Sequence, residues 1–125
     1  MAALFPYARY LGLGARLDEA GLVTVLRHDP THIGNPVLPA LHGGVVGAAL
    51  ETAALFHLMW AGDSARLPKI VTITFEYLRS ARPRDLFARA EVTKQGRRVA
   101  HVSVAAWQDE PARPVAAAHG VFLLT

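Results

Sequence analysis

The sequence predicts an α+β fold in which one apolar helix is enclosed by a curved antiparallel sheet. The first observation is a nearly uninterrupted apolar segment at residues 42–61, which is too long for a strand and has the length of a helix. The second is that the apolar period changes to two after Pro68 and stays so to the C-terminus. A helix that is apolar on nearly all sides must be covered on most of them. We therefore expect residues 1–125 to form a single domain of this kind.

Length and composition limit the classes of protein that the chain can represent. Its 125 residues suffice for one compact domain with a buried core. Hydrophobic residues make up 52% and charged residues 18%, so we expect further copies of the chain to cover part of the surface. The lack of cysteine excludes disulfides, thiolate metal sites and a cysteine nucleophile. The scattered net charge of +3 suits an anionic small ligand better than a nucleic acid.

No segment of the sequence has the pattern of a signal peptide or a complete membrane anchor. Pro6 and Arg9 interrupt the apolar N-terminus, and no basic region precedes it. The apolar run Val45–Ala61 approaches the length of a membrane span, but Glu51 and His57 lie within it and no basic flank follows. We therefore expect a cytoplasmic protein without a membrane partner.

The N-terminal half is predicted to contain a strand and the long helix. Residues 3–12 are weakly helical and amphipathic, and LVTVLRHD at 22–29 is predicted to form a strand. The segment DPTHIGNPVLPA at 29–40 is rich in Pro, Gly and Asn and is predicted to be an irregular loop. The helix at 42–61 should end at Gly62, before a polar loop.

The C-terminal half is predicted to consist of strands. The segments at 69–80, 86–95 and 97–110 alternate in hydrophobicity, and the segment at 114–125 is predicted to be the last strand. Short turns join the last three, which predicts an antiparallel meander. Four residues of the first segment should share one face: Val71, Ile73, Phe75 and Tyr77.

Glu51 is the one carboxylate within the apolar helix. Burial of an unpaired carboxylate is costly, so such a group either raises its pKa or finds a partner. Glu51 lies nine residues after His42, which places the two roughly 180° apart around the helix and about 13 Å apart along it. Two antiparallel helices related by a two-fold axis could instead bring each Glu51 to the Gly43 of the other chain. The alternative is an ion pair between Glu51 and an arginine of the sheet.

The predicted helix begins with His42, Gly43 and Gly44. Each glycine costs about 1 kcal/mol relative to alanine within a helix, but it allows another group to approach the backbone closely. The N–H groups of a helix start also suit a developing oxyanion. A plain glycine cap, with His42 as a capping residue, is the alternative.

The segment HGGVVGAALETA at 42–53 resembles the helix signature of the hotdog-fold acyl-CoA thioesterases, in particular the phenylacetate-pathway (PaaI-like) branch. That signature is His-Gly-Gly, six variable residues, and then Asp or Glu, the position that Glu51 occupies. IGNPVLPALHGG, YLRSARPRD and VTKQGRRVAHVSV extend the resemblance. It implies a hotdog fold, a thioester hydrolase without metal or other cofactor, and a homodimer or homotetramer.

The resemblance also implies roles for particular residues. The amide of Gly43 would polarise the thioester carbonyl, and Glu51 of the neighbouring chain would act as general base or nucleophile. Asn35 would help place the carbonyl or the attacking water, and His42 would orient the loop or the substrate. In many relatives the asparagine lies one position closer to the histidine than Asn35 does here.

Further residues follow from the expected reaction. Many relatives have a Ser or Thr that assists the water at the place occupied here by Ile70, and Thr72 is the nearest hydroxyl. Phe56 and Trp60, one helical turn apart, could line an acyl pocket or pack in the core. Arginine binds phosphate with a bidentate fork. The expected cationic rim for the phosphates of coenzyme A consists of Arg82, Arg84, Lys94, Arg97 and Arg98.

Two other functions remain open at this point. An enoyl-CoA hydratase shares the expected fold, and Asp29, His32 and Asn35 loosely resemble its catalytic loop, although their spacing differs. A non-catalytic protein that binds acyl-CoA or an acyl carrier could retain the same scaffold. Released thiol, hydrated product, or binding without turnover would distinguish the three.

Overall fold

The computed structural model describes residues 13–18, 21–27, 43–62, 68–82 and 84–124. Within these ranges the chain forms one helix and six strands. In chain order they are β1 (Leu13–Asp18), β2 (Gly21–Leu26), α1 (Gly43–Gly62), β3 (Lys69–Tyr77), β4 (Leu86–Gln95), β5 (Val99–Trp107) and β6 (Ala116–Leu123). The predicted helix at residues 3–12 and the predicted loop at 29–40 lie outside the described residues.

The six strands form one antiparallel sheet in the order β1-β2-β4-β5-β6-β3. The pairing of β4 with β5 and of β5 with β6 confirms the predicted meander. The sheet is larger than expected because β1, a strand that was not predicted, extends one edge. The opposite edge is β3, which lies beyond β6 rather than beside β4.

The helix α1 packs against the sheet and forms the core with it. Leu50, Ala54 and Phe56 of the helix are fully buried, and so is Phe122 of β6. The helix is long and apolar enough to cross a membrane, but 67% of its apolar window is buried inside the fold. Its apolar composition is therefore explained by its place in the core.

The alternation along β3 is broken once. Ile73 and Phe75 pack against the core, as predicted. Val71 is 62% exposed because the register of β3 against β6 shifts between Ile70 and Thr72, which is a β-bulge. Beyond the bulge the strand has two distinct faces, one towards α1 and one away from it.

The architecture confirms the predicted α+β plan of one apolar helix against a curved antiparallel sheet, and it is that of a hotdog fold.

Candidate active site

A groove between α1 and β3 contains Glu51. Its volume is about 310 Å³. Its five helical residues lie at positions i, i+3, i+4, i+7 and i+8, so they share one face of α1. The groove, called the acid groove below, is lined by Gly44, Gly47, Ala48, Glu51, Thr52, Phe75 and Tyr77.

Small residues on the helix make room for two rings of the sheet. The rings of Phe75 and Tyr77 stack with their centroids 6.4 Å apart and an angle of 28° between their planes. A Cβ atom on Gly47 would lie only 3.2 Å from the hydroxyl of Tyr77. The alternation of the strand predicts that Phe75 and Tyr77 share one face, but it does not identify them as walls of a site. Small residues at the helix start opposite large rings are the signal that could have revealed it.

The Glu51 carboxylate lies in an apolar environment. The residue is half-buried, and this burial raises its pKa above the ordinary value of 4.5. Among the residues that the structure describes, Glu51 makes no ion pair or hydrogen bond. The two arginines of ion pairs in these ranges, Arg84 and Arg89, bind Asp109 and Asp18 instead. The alternative of an ion pair between Glu51 and a sheet arginine therefore has no support in this part of the chain.

A second groove lies on the other side of Tyr77, at the start of α1. Its volume is about 390 Å³. The guanidinium of Arg79 donates a hydrogen bond to the carbonyl oxygen of Pro114 at its rim. This second groove, called the arginine groove below, is lined by Gly43, Val46, Tyr77, Leu78, Arg79, Ser80, Ala81 and Val115.

Gly43 and Glu51 do not meet within one chain. They are eight residues apart on α1, which corresponds to about 12 Å along the axis, and they line different grooves. The hydroxyl of Tyr77 donates a hydrogen bond of 3.0 Å to the carbonyl oxygen of Gly43. Tyr77 therefore connects the two predicted functional positions.

Thr72 lies on the face of the sheet away from α1. It pairs with Val121 and contributes to a polar groove of about 360 Å³ that also contains His101 and His119. The structure therefore does not bring Thr72 to Glu51 within one chain, because β3 directs the two sides of its alternation to opposite faces. Asn35 and His42 lie outside the described residues.

The five predicted cations lie at the two ends of β4. Arg82 and Arg84 precede the strand, and Lys94, Arg97 and Arg98 are at or beyond its end. A strand of ten residues separates its ends by about 30 Å. One chain therefore does not assemble them into a single rim. Gly43 is near the first set, because its groove is also lined by Ala81, the residue directly before Arg82.

Phe56 and Trp60 do not line the acid groove. Phe56 is fully buried in the core, and Trp60 is 43% exposed at the end of α1. The ring of His57 lies 5.7 Å from that of Trp60, and burial lowers the pKa of His57 below 6.5. The core interpretation of Phe56 is confirmed.

Comparisons with known proteins concern the family and the fold of the chain. The sequence profile of the thioesterase superfamily matches residues 38–115. A solved protein of Chromobacterium violaceum is 46% identical, with a TM-score of 0.79, over 99% of this chain and 86% of that one. No curated protein matches the chain.

Two more distant structures show the same fold. A phenylacetic acid degradation-related protein of Ralstonia eutropha is 23% identical, with a TM-score of 0.82, over 96% of this chain and 90% of that one. A protein of Bacillus halodurans, whose crystal structure contains CoA, is 21% identical, with a TM-score of 0.82, over 94% of this chain and 76% of that one. At these identities the likeness concerns the fold alone.

Proposed function

The chain belongs to the thioesterase superfamily, and we propose that it is a cytoplasmic hydrolase that cleaves acyl-CoA thioesters at a site shared by two copies. The observation that carries this proposal is the carboxylate of Glu51 in its apolar groove. A general base is most effective when its pKa lies near the working pH, and burial moves the pKa of Glu51 in that direction.

The walls of the acid groove support a small or aromatic acyl group. The stacked rings of Phe75 and Tyr77 offer a flat apolar surface, and the volume of about 310 Å³ is at the lower end for a small-molecule site. CoA as the thiol is supported by the fold relative from Bacillus halodurans, which was crystallised with it. The name of the Ralstonia relative, related to phenylacetic acid degradation, supports an aromatic acyl group.

Two copies are proposed because Gly43 and Glu51 are too far apart in one. Strand β3 lies at an edge of the described sheet, where an exposed backbone edge can pair with another chain. Pairing of two β3 strands about a two-fold axis would set the two α1 helices side by side in opposite directions. Four large apolar residues on or next to this edge are exposed: Ile70, Val71, Tyr77 and Leu78.

The proposed reaction adds the oxygen of water to the thioester carbonyl carbon and breaks the carbon–sulfur bond, which yields a carboxylate and a thiol. The Gly43 N–H of one copy polarises the carbonyl oxygen, because the first N–H groups of a helix have no acceptor within it. Glu51 of the other copy either removes a proton from the attacking water, or attacks the carbonyl carbon itself and displaces the thiolate to form a mixed anhydride, which water then hydrolyses to regenerate Glu51. Both routes need the ionised carboxylate. Asn35 and His42 keep the orienting roles that the family resemblance implies.

For the phosphates of CoA we propose Arg82 and Arg84. Both are exposed and lie at the end of the sheet where the arginine groove opens beside Gly43. Arg84 is 2.8 Å from Asp109, and a phosphate would compete with that exposed carboxylate. Lys94, Arg97 and Arg98 could contribute only if the second copy brings them to the same substrate.

The first test is hydrolysis of a panel of acyl-CoA esters, followed with a thiol-specific reagent. The chain has no cysteine, so the protein gives no background signal. We expect at least one ester to be cleaved, and Glu51→Gln to lower the rate by about a hundredfold or more, with substrate binding retained, because a general base is lost. Glu91→Gln, an identical change at an exposed acid of β4, is the matched control.

Full activity of the Glu51→Gln protein would refute the role of Glu51. Binding of acyl-CoA without release of thiol from any ester would instead indicate a non-catalytic binding protein. Appearance of a hydrated product would indicate a hydratase.

The second test addresses the shared site by mixing two inactive variants. Gly43→Pro removes the backbone N–H, and proline is well tolerated in the first turn of a helix. Random exchange between Gly43→Pro and Glu51→Gln chains should restore about a quarter of the wild-type activity, since half of the dimers are mixed and each mixed dimer has one intact site. If exchange is verified with tagged chains and no activity returns, Gly43 and Glu51 of different copies do not form one site, and the proposal of a shared site is refuted.

A further inference from the structure

Tyr77 stands between the acid groove and the arginine groove. Among the described residues it is the one side chain that lines both. The two cavities, of about 310 and 390 Å³, both open at the start of α1 and lie on either side of the Tyr77 ring. The phenol therefore acts as a partition between them.

Three contacts hold the phenol in this position. Its hydroxyl donates a hydrogen bond of 3.0 Å to the carbonyl oxygen of Gly43. Its ring edge lies 3.9–4.0 Å from the place that a Cβ atom on Gly43 would occupy, and its hydroxyl lies 3.2 Å from the corresponding place on Gly47. Phe75 supports it from within the sheet by ring stacking.

The residue that forms the partition lies outside the buried core cluster. Tyr77 is 56% exposed, so hydrophobic burial alone does not explain its contacts. The glycines of the helix start admit the hydroxyl, and a strand tyrosine supplies it. The helix face and the strand are thus complementary at this one point.

The grooves differ in what they offer a ligand. The acid groove has small helical residues, two rings and the carboxylate of Glu51, whereas the arginine groove has aliphatic residues and the guanidinium of Arg79. An acyl chain whose carbonyl carbon lies near a Glu51 carboxylate would run along the acid groove and end against the ring of Tyr77.

We infer, on the basis of the proposed thioesterase function, that Tyr77 is a specificity-determining residue whose ring sets the maximum length of the acyl chain. Removal of the ring joins the two grooves and admits longer chains. Removal of the hydroxyl alone leaves the partition in place.

The test compares wild type, Tyr77→Ala and Tyr77→Phe on straight-chain acyl-CoA esters from butyryl to palmitoyl. One methylene in an apolar pocket changes kcat/KM by about 10- to 200-fold. We expect Tyr77→Ala to raise the ratio of kcat/KM for long over short esters by about tenfold or more. Tyr77→Phe should keep the wild-type ratio, because its ring still fills the same place. Tyr77→Leu, which keeps an apolar strand residue, serves if the alanine variant does not fold.

A binding experiment tests the role of Tyr77 independently of whether the protein hydrolyses thioesters. S-alkyl-CoA thioethers of the same lengths cannot be hydrolysed, and calorimetry reports their affinities for the three proteins. If the wild type cleaves no ester but Tyr77→Ala gains affinity for the long thioethers, the inference stands and the hydrolase proposal fails. If the wild type cleaves esters and neither the kcat/KM ratio nor the thioether affinities shift in Tyr77→Ala and Tyr77→Leu, the inference is overturned and the hydrolase proposal stands.

Discussion

Carboxylates on the two sides of the sheet have different surroundings. On the side of α1, Glu51 lies in an apolar groove and has no ionic partner among the described residues. On the outer side, Asp18 of β1 forms an ion pair with Arg89 of β4. The same chemical group is therefore left unpaired on one face and neutralised on the other.

The outer face also gives its cations partners. The guanidinium of Arg16 lies 5.0 Å from the ring centre of Phe87, and that of Arg89 lies 5.5 Å from the ring centre of Trp107. The two rings are 6.2 Å apart, so they link β4 to β5. Such contacts provide the charged side chains of the outer face with partners. A carboxylate with a raised pKa in a groove is instead a typical candidate for chemistry.

The largest expected effect on stability is that of a glycine-to-alanine substitution on the helix-facing side, compared with the same substitution on the outer face. A Cβ atom on Gly120 of β6, on the helix-facing side, would lie 2.7 Å from the carbonyl oxygen of Thr72 and 3.3 Å from Cβ of Ile73. The first contact is with backbone, so Gly120→Ala must displace β3, the strand that carries the groove wall. We expect a loss of about 1–3 kcal/mol in the free energy of unfolding, measured by urea denaturation.

The matched control is Gly14→Ala on the outer face of β1. No atom lies within 4 Å of a Cβ atom built there. Because alanine reduces the conformational entropy of the unfolded chain, this variant should be unchanged or more stable by up to about 1 kcal/mol. Equal destabilisation of both variants would show that the two faces do not differ in how tightly they are packed at these glycines.

Local periodicity was sufficient to predict most of the elements. The predicted strand at 86–95 has the observed bounds of β4, and the helix ends one residue later than predicted, at Gly62. Strand β1 was not predicted, because only Leu13 of its six residues is buried and no apolar alternation marks it. The place of β3 beyond β6 depends on pairings between distant residues, which local patterns do not contain.

Some of the candidate site residues could also be identified from the local sequence, whereas the positions of others depend on the fold. Glu51 and the glycines of the helix start stand out from their own neighbours in the sequence. The usefulness of Thr72 to the reaction depends on which face of β3 it occupies, and the structure places it on the face away from α1. Whether Arg84 and Arg98 can reach one ligand depends on which ends of β4 they flank, a relation that only the register of the sheet defines.

The smallest expected effect concerns the stability cost of the unpaired carboxylate, and it depends on pH. The folded-state pKa of Glu51 is raised by burial, so the folded protein binds this proton more tightly than the unfolded chain does. The ionised form therefore destabilises the fold above the raised pKa, and this penalty disappears as the pH falls through that pKa towards 4.5.

Glu51→Gln should accordingly be more stable than the wild type at neutral pH, by less than about 1 kcal/mol because the half-exposed carboxylate is partly solvated. The advantage should vanish in acid, whereas activity is lost at every pH. Urea denaturation from pH 4 to pH 8 measures the difference in the free energy of unfolding between Glu51→Gln and the wild type. Glu91→Gln serves as the control, because it shows the effect of removing an exposed carboxylate. If Glu51→Gln instead loses stability relative to the wild type as the pH rises from acid to neutral, the folded state stabilises the ionised carboxylate of Glu51. The carboxylates on both sides of the sheet would then be stabilised in their ionised forms.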